Sequence, residues 1–163
     1  MAESTFWDRT RFFTPGEFNT KDASGKPVPL TGERNMKEKF ISLLDRLRYI
    51  YDLPLSPSSG YRSPEHNAEV SHTGEGGPHT FGQAADFPAD GHNLHALIHA
   101  AVLTAVVEAG YLNEQEAKAC LKEIREKELG FTGLGVAKTF LHLDNVTAKD
   151  DQKFAVRPNV WTY

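Results

Sequence analysis

The sequence predicts an α+β fold in a single domain spanning residues 1–163. Three observations carry that expectation. Apolar residues recur at helical spacing in three segments. Apolar and polar residues alternate through Phe140-Leu-His-Leu-Asp144, as in a half-buried strand. Between these lie short stretches rich in Gly, Pro and Ser that read as turns and extended connections. A length of 163 residues suits one domain with a proper core and is short for two.

The elements follow in chain order. Residues 1–34 lack long periodic runs, and Phe12, Phe13 and Phe18 are spaced like anchors tucking an arm onto the rest. Asp22 to Gly32 reads as a loop. The clearest helix spans 35–51: Asn35 with Glu38 suggests a capping box, and Phe40, Leu43, Leu44, Leu47 and Ile50 share one apolar face before Pro54 ends the pattern. Residues 55–61 suit a strand or extended segment ending at Tyr61, and from Arg62 the chain is expected to be irregular. Ser71 to Pro78 is a flexible polar loop by composition, and it delivers His79. Ala84-Ala-Asp-Phe87 suggests a short strand. A second helix starts near Asn93, with Leu94, Leu97, Ile98, Ala101, Val102, Ala105 and Val106 as a broad apolar stripe. Asn113 with Glu116 signals a third, carrying Ala117, Leu121 and Ile124 and ending at Gly130.

Composition narrows the function classes. The chain is 39% hydrophobic and 25% charged, with a net charge of -4 and a pI near 6.0. No basic run offers a surface for nucleic acid, so no nucleic-acid partner is expected. No apolar run reaches the length of a membrane span, so no membrane insertion is expected. The single cysteine, Cys120, excludes an internal disulfide and a Cys-based zinc site. Its helical setting suggests a small buried or half-buried residue. The N-terminus lacks a basic region followed by an apolar one, so cytoplasmic synthesis without a signal peptide is expected.

Few residues carry chemistry. His79 and Asp86 are separated by a stretch that Gly82 helps to turn, and an imidazole with a carboxylate suits zinc. A His and an Asp at this separation also arise by chance. His142 is flanked by Leu141 and Leu143, which strand alternation places on the opposite face, and Asp144 falls on the face of His142. His95 and His99 share a helix face without a third ligand. Together with His66, His72 and His92 they read as solvated or hydrogen-bonded surface histidines.

Ser59-Gly-Tyr-Arg-Ser-Pro64, His79-Thr-Phe-Gly-Gln-Ala-Ala-Asp86 and Phe140-Leu-His-Leu-Asp144, in that order, resemble peptidase family M15. The similarity is to the D-alanyl-D-alanine carboxypeptidase-like branch of phages and bacteria. Phe13-Thr-Pro-Gly-Glu-Phe18 and Arg157-Pro158 with Trp161 and Tyr163 extend the resemblance toward both ends. It implies a hedgehog-like and lysostaphin-like fold: a small, mostly antiparallel sheet flanked by about three helices. It implies one Zn2+ ion held by His79, Asp86 and His142. Arg62 matches the arginine that faces the scissile carbonyl or a substrate carboxylate, a task suited to a permanently charged guanidinium. The structural alternative for Arg62 is an ion pair to Glu65 or Asp86.

The implied activity is zinc-dependent hydrolysis of stem or cross-bridge peptides of peptidoglycan, as a carboxypeptidase or an endopeptidase of endolysin type. A monomer is expected, acting at the cell wall after release or carried in a virion. Many relatives place an acid three positions before the last zinc histidine, or a histidine two before. Thr139 and Phe140 stand there in this chain, so the proton acceptor is Asp144, another acid brought from elsewhere, or absent, and turn chemistry is the other reading of Asp144. The same departure sustains the competing reading of a zinc-stabilised, non-catalytic wall-binding or virion module.

Overall fold

The computed structural model describes residues 5–89, 91–127, 133–136, 141–144 and 159–162. The chain forms two compact units, one from Met1–Arg48 with Leu53–Pro88 and one from Tyr49–Asp52 with Ala89–Tyr163.

The first unit is built around aromatic side chains of the N-terminal arm. Two 3-10 turns, Phe6–Arg9 and Pro15–Phe18, present Trp7 and Phe18 to the interior. Phe18 is fully buried, with Trp7 and Phe13 at ring separations of 5.8 and 5.6 Å, and Phe87 lies 6.2 Å from Phe13. Two of the three expected anchors, Phe13 and Phe18, therefore go inside. Phe12 stays 40% exposed, under the guanidinium groups of Arg11 and Arg48. Asp45 is buried and ties the arm down by accepting from the Arg11 and Phe12 amides and from Arg11 Nε. In the following loop, the Asp22 carboxylate accepts from the Ser24 hydroxyl and the Lys26 amide, which hold its pKa below the ordinary value.

Two helices follow, α1 (Thr31–Asn35) and α2 (Glu38–Tyr51). Helix α2 answers the clearest periodicity of the sequence, and Ile41, Leu44 and Ile50 are buried along it. Asn35 does not cap it. Asn35 ends α1 instead, its side-chain amide donating to the Thr31 carbonyl. Helix α3 (Pro64–Val70) occupies a stretch expected to be irregular. Its signal was present in Ser63-Pro64: the Ser63 side chain accepts from the His66 amide, and Pro64 sits in the first turn where its missing N–H costs nothing.

The second unit contains α4 (Gly91–Glu108) and α5 (Glu114–Lys127), packed on each other. Helix α5 is capped as its sequence predicts. The Asn113 side chain accepts from the Gln115 and Glu116 amides, while Glu116 accepts from the Asn113 amide. Ala117 and Leu121 are buried and Cys120, expected to be at least half-buried, is exposed. Helix α4 buries Ala96, Ala100 and Leu103 rather than the expected stripe, and leaves Ile98 and Val102 exposed. A helix apolar on most sides does not declare its inner face by periodicity. His95, expected at the surface, is buried, and its carbonyl bonds His99 Nδ1 at 3.0 Å.

Among the described residues this unit also has three strands, β1 (Gly133–Val136), β2 (Leu141–Asp144) and β3 (Asn159–Thr162), in the order β2-β1-β3. Strand β2 coincides with the alternating segment of the sequence. It pairs antiparallel to β1, with His142 opposite Gly135 and Asp144 opposite Gly133. Strand β3 runs parallel to β1 and lies against α4.

The expected α+β fold, with a mostly antiparallel sheet flanked by about three helices, is corrected by this structure. Among the described residues helix predominates, in five α-helices, and no strand occurs from 5 to 127. The described strands are three segments of four residues, joined by one antiparallel and one parallel pairing. Segment 55–61, read as a strand or extended segment, and segment 84–87, read as a short strand, contribute only an isolated bridge between Ser59 and Asp86. Both are short: 55–61 is interrupted by Pro57 and Gly60, 84–87 runs into Pro88, and neither recruits a further neighbour to form a ladder.

Candidate metal centre

The first unit brings His79, Asp86 and Arg62 together from two loops. The bridge between Ser59 and Asp86 is the foundation: the Asp86 amide donates to the Ser59 carbonyl at 2.9 Å, and the Ser58 amide to the Asp86 carbonyl at 2.8 Å. Beside it the Tyr61 amide donates to the Phe18 carbonyl. This contact requires the glycine at position 60. A Cβ there would stand 2.6 Å from Phe18 Cα and 2.7 Å from Phe18 Cβ, inside any real packing distance.

The loop that delivers His79 is held more firmly than its composition suggested. Asn67 of α3 is only 1% exposed, and its amide donates to Thr73 Oγ1 at 3.0 Å and to the Gly74 carbonyl at 2.6 Å. Thr80 then folds back on Gly77, accepting from its amide and donating to its carbonyl. No periodicity singles Asn67 out, because its role depends on a loop beyond its own helix. Asn67→Asp is expected to place an ionised oxygen against the Gly74 carbonyl and to lose both donated bonds. The cost is about 3 kcal/mol, seen as a fall in Tm of roughly 5–10 °C with faster proteolysis within residues 71–77. An unchanged melt would refute the clamp.

His79 sits in the turn that follows. Its Nδ1 lies 2.7 Å from the Gly60 carbonyl, which only accepts, so Nδ1 carries the proton and the lone pair of the neutral ring is on Nε2. That Nε2 faces Asp86 Oδ1 at 3.5 Å. Two ligands of one tetrahedral zinc, each about 2.0–2.1 Å from the ion, stand roughly 3.3 Å apart. The observed pair therefore fits two neighbouring corners of such a site. A carbonyl bonded to the remote ring nitrogen is the partner that zinc-binding histidines ordinarily have.

Asp86 Oδ2 turns the other way and accepts from Arg62 Nη2 at 2.6 Å, while Arg62 Nε donates to Ser59 Oγ at 2.9 Å. The His79 and Arg62 side chains are 14% and 16% exposed, and that of Asp86 is 53% exposed. The ion-pair reading of Arg62 thus selects Asp86, not Glu65. His142 and Asp144 are placed as backbone positions on β2. Among the described residues, no group of three or more His, Cys, Asp or Glu side chains is gathered as a metal site. Thr139 and Phe140, together with Arg157, Pro158 and Tyr163, lie outside the described residues.

Among the described residues no helix is long and apolar enough to cross a membrane. Comparison with curated proteins and with solved structures returns no match. The family profile described as Peptidase M15 matches residues 12–120, two thirds of the chain, including Arg62, His79 and Asp86 and stopping short of His142. The chain belongs to peptidase family M15.

Proposed function

We propose that this chain acts as one zinc metallopeptidase domain that hydrolyses stem or cross-bridge peptides of peptidoglycan. The observation that carries the reading is the pair formed by His79 Nε2 and Asp86 Oδ1, 3.5 Å apart, within a peptidase-family match. His79, Asp86 and His142 are the proposed ligands of one zinc ion. When bound, zinc supplies Lewis acidity toward a peptide carbonyl and brings the pKa of water to about 7.

The chain's own residues supply the rest. His79 enters with its tautomer already fixed by the Gly60 carbonyl, so its lone pair needs no reorientation. Asp86 offers one oxygen toward His79 and keeps the other on Arg62. Asp144 is the proposed proton acceptor, taking the proton of the attacking water and passing it to the leaving amine. It lies two residues beyond His142 on β2, with Asp144 registered opposite Gly133 and His142 opposite Gly135 of β1.

The test is hydrolysis of purified peptidoglycan by zinc-loaded protein beside His142→Ala and Asp144→Ala, with fragments identified by mass. New amine ends are expected from the wild type and none from His142→Ala. Asp144→Ala is expected to keep its zinc and to lose about 10²–10⁴-fold in rate, the usual worth of a positioned acid or base. Full activity of Asp144→Ala would move the base elsewhere. One zinc bound without cleavage would favour a non-catalytic wall-binding or virion module, and no zinc bound would refute the reading.

A further inference from the structure

We infer that Arg62 and Ser59 form a positioning device for the metal-binding carboxylate, so that Asp86 presents one oxygen, Oδ1, to the zinc. The inference rests on the zinc-peptidase reading and deepens it, because it concerns residues that act through Asp86.

The geometry divides the carboxylate between two tasks. Oδ1 faces His79 Nε2 at 3.5 Å, and Oδ2 is taken by Arg62 Nη2 at 2.6 Å. A carboxylate hinged on one Cβ–Cγ bond rotates freely unless something holds it, and it can then offer either oxygen or both to a cation. The Arg62 bond removes that freedom. Arg62 is held in turn, because the donors of its Nε–Nη2 edge are both engaged, one on Ser59 Oγ and the other on Asp86 Oδ2. A planar guanidinium anchored at two neighbouring N–H groups has its plane fixed. Ser59 is also the backbone partner of Asp86, its carbonyl accepting from the Asp86 amide at 2.9 Å. The same serine therefore sets both the backbone and, through Arg62, the side chain of the ligand. An aspartate limited to one oxygen leaves a coordination position open, as a catalytic zinc site requires.

Charge and orientation pull in opposite directions here, and that separates the explanations. A cation beside Asp86 offsets part of its negative charge, so electrostatics alone predicts tighter zinc binding once Arg62 is gone. Orientation predicts weaker binding. Ser59→Ala leaves every charge in place and removes only the anchor. Arg62→Lys keeps the positive charge and loses the fork.

Zinc affinity is measured by competition with a chromophoric chelator, on wild type, Ser59→Ala, Ser59→Thr and Arg62→Lys, with metal-free melting curves as the folding control. Ser59→Ala is expected to weaken zinc binding about 10-fold and Arg62→Lys about 10–100-fold, the range for lost outer-shell partners. Ser59→Thr, which keeps the hydroxyl, is expected to restore binding. Cobalt substitution adds a signature: a freed carboxylate binding through both oxygens raises the coordination number and dims the visible bands of Arg62→Lys. Unchanged zinc affinity with a raised KM would overturn the inference and give Arg62 to the substrate. Unchanged affinity with only a lower metal-free Tm would reduce the device to a structural ion pair. Absence of zinc in the wild type would instead refute the peptidase reading itself, so the two failures are distinguishable.

Discussion

Replacing His79 by alanine is expected to abolish stoichiometric zinc binding and peptide hydrolysis together. The donor atom of His79 is already prepared, since the Gly60 carbonyl holds the proton on Nδ1 and leaves Nε2 facing Asp86. Its loss removes a first ligand and should weaken zinc binding by more than the roughly 10–100-fold that an outer partner is worth. The cleanest readout is thermal. A ligand at 100 times its Kd stabilises the folded state by about 2.7 kcal/mol, which moves Tm by roughly 5–10 °C in a chain of this size. Wild type should show that rise on adding zinc, and His79→Ala should not. An undiminished zinc-dependent rise in the variant would remove His79 from the metal site.

Gly82→Ala is expected to be the most damaging single substitution outside the ligands. Gly82 has φ +68, a conformation that costs a residue with a Cβ about 1–3 kcal/mol. A Cβ there would also overlap the Asn35 carbonyl oxygen and stand 2.8 Å from Asn35 C and 3.0 Å from Met36 Cα. All three atoms are backbone, so no side chain can swing away. The position is also a junction: the Gly82 amide donates to the His79 carbonyl, and the Gly82 carbonyl accepts from the Lys37 amide just before α2. Strain and overlap together come to about 3–5 kcal/mol, a large part of an ordinary folding free energy of about 5–15 kcal/mol. A fall in Tm of roughly 10 °C is expected, with weaker zinc binding in whatever remains folded. Gly76→Ala is the control, since a Cβ at Gly76 meets nothing within 4 Å. Equal melting curves for the two variants would show that the turn carrying His79 does not depend on Gly82.

The family was legible because its motifs are short and carried by the sequence itself. The family match spans residues 12–120 and so includes His79, Asp86 and the Gly-Tyr-Arg-Ser motif of Arg62. Helix α2 and the capped start of α5 were legible for a local reason: periodicity and capping are decided within a few residues of chain. Helix α3 was equally local in its Ser63-Pro64 start, but its seven residues are too few to display a period.

What the sequence by itself determined is therefore the local and the familial: where α2 and α5 run, that the β2 segment alternates, and that the motifs are those of peptidase family M15. The predominance of helix, and the mixed pairing of the three short strands, were decided by which extended segments found ladder partners. Tertiary structure alone chose the inner face of α4, because an almost wholly apolar helix offers several. It alone gave Arg62 to Asp86 and Ser59 to Arg62, and turned Oδ1 rather than Oδ2 toward His79. Those choices join residues up to 27 positions apart, Ser59 to Asp86, through bonds a few ångströms long, and no pattern along the chain records which of a carboxylate's two oxygens will face a neighbour.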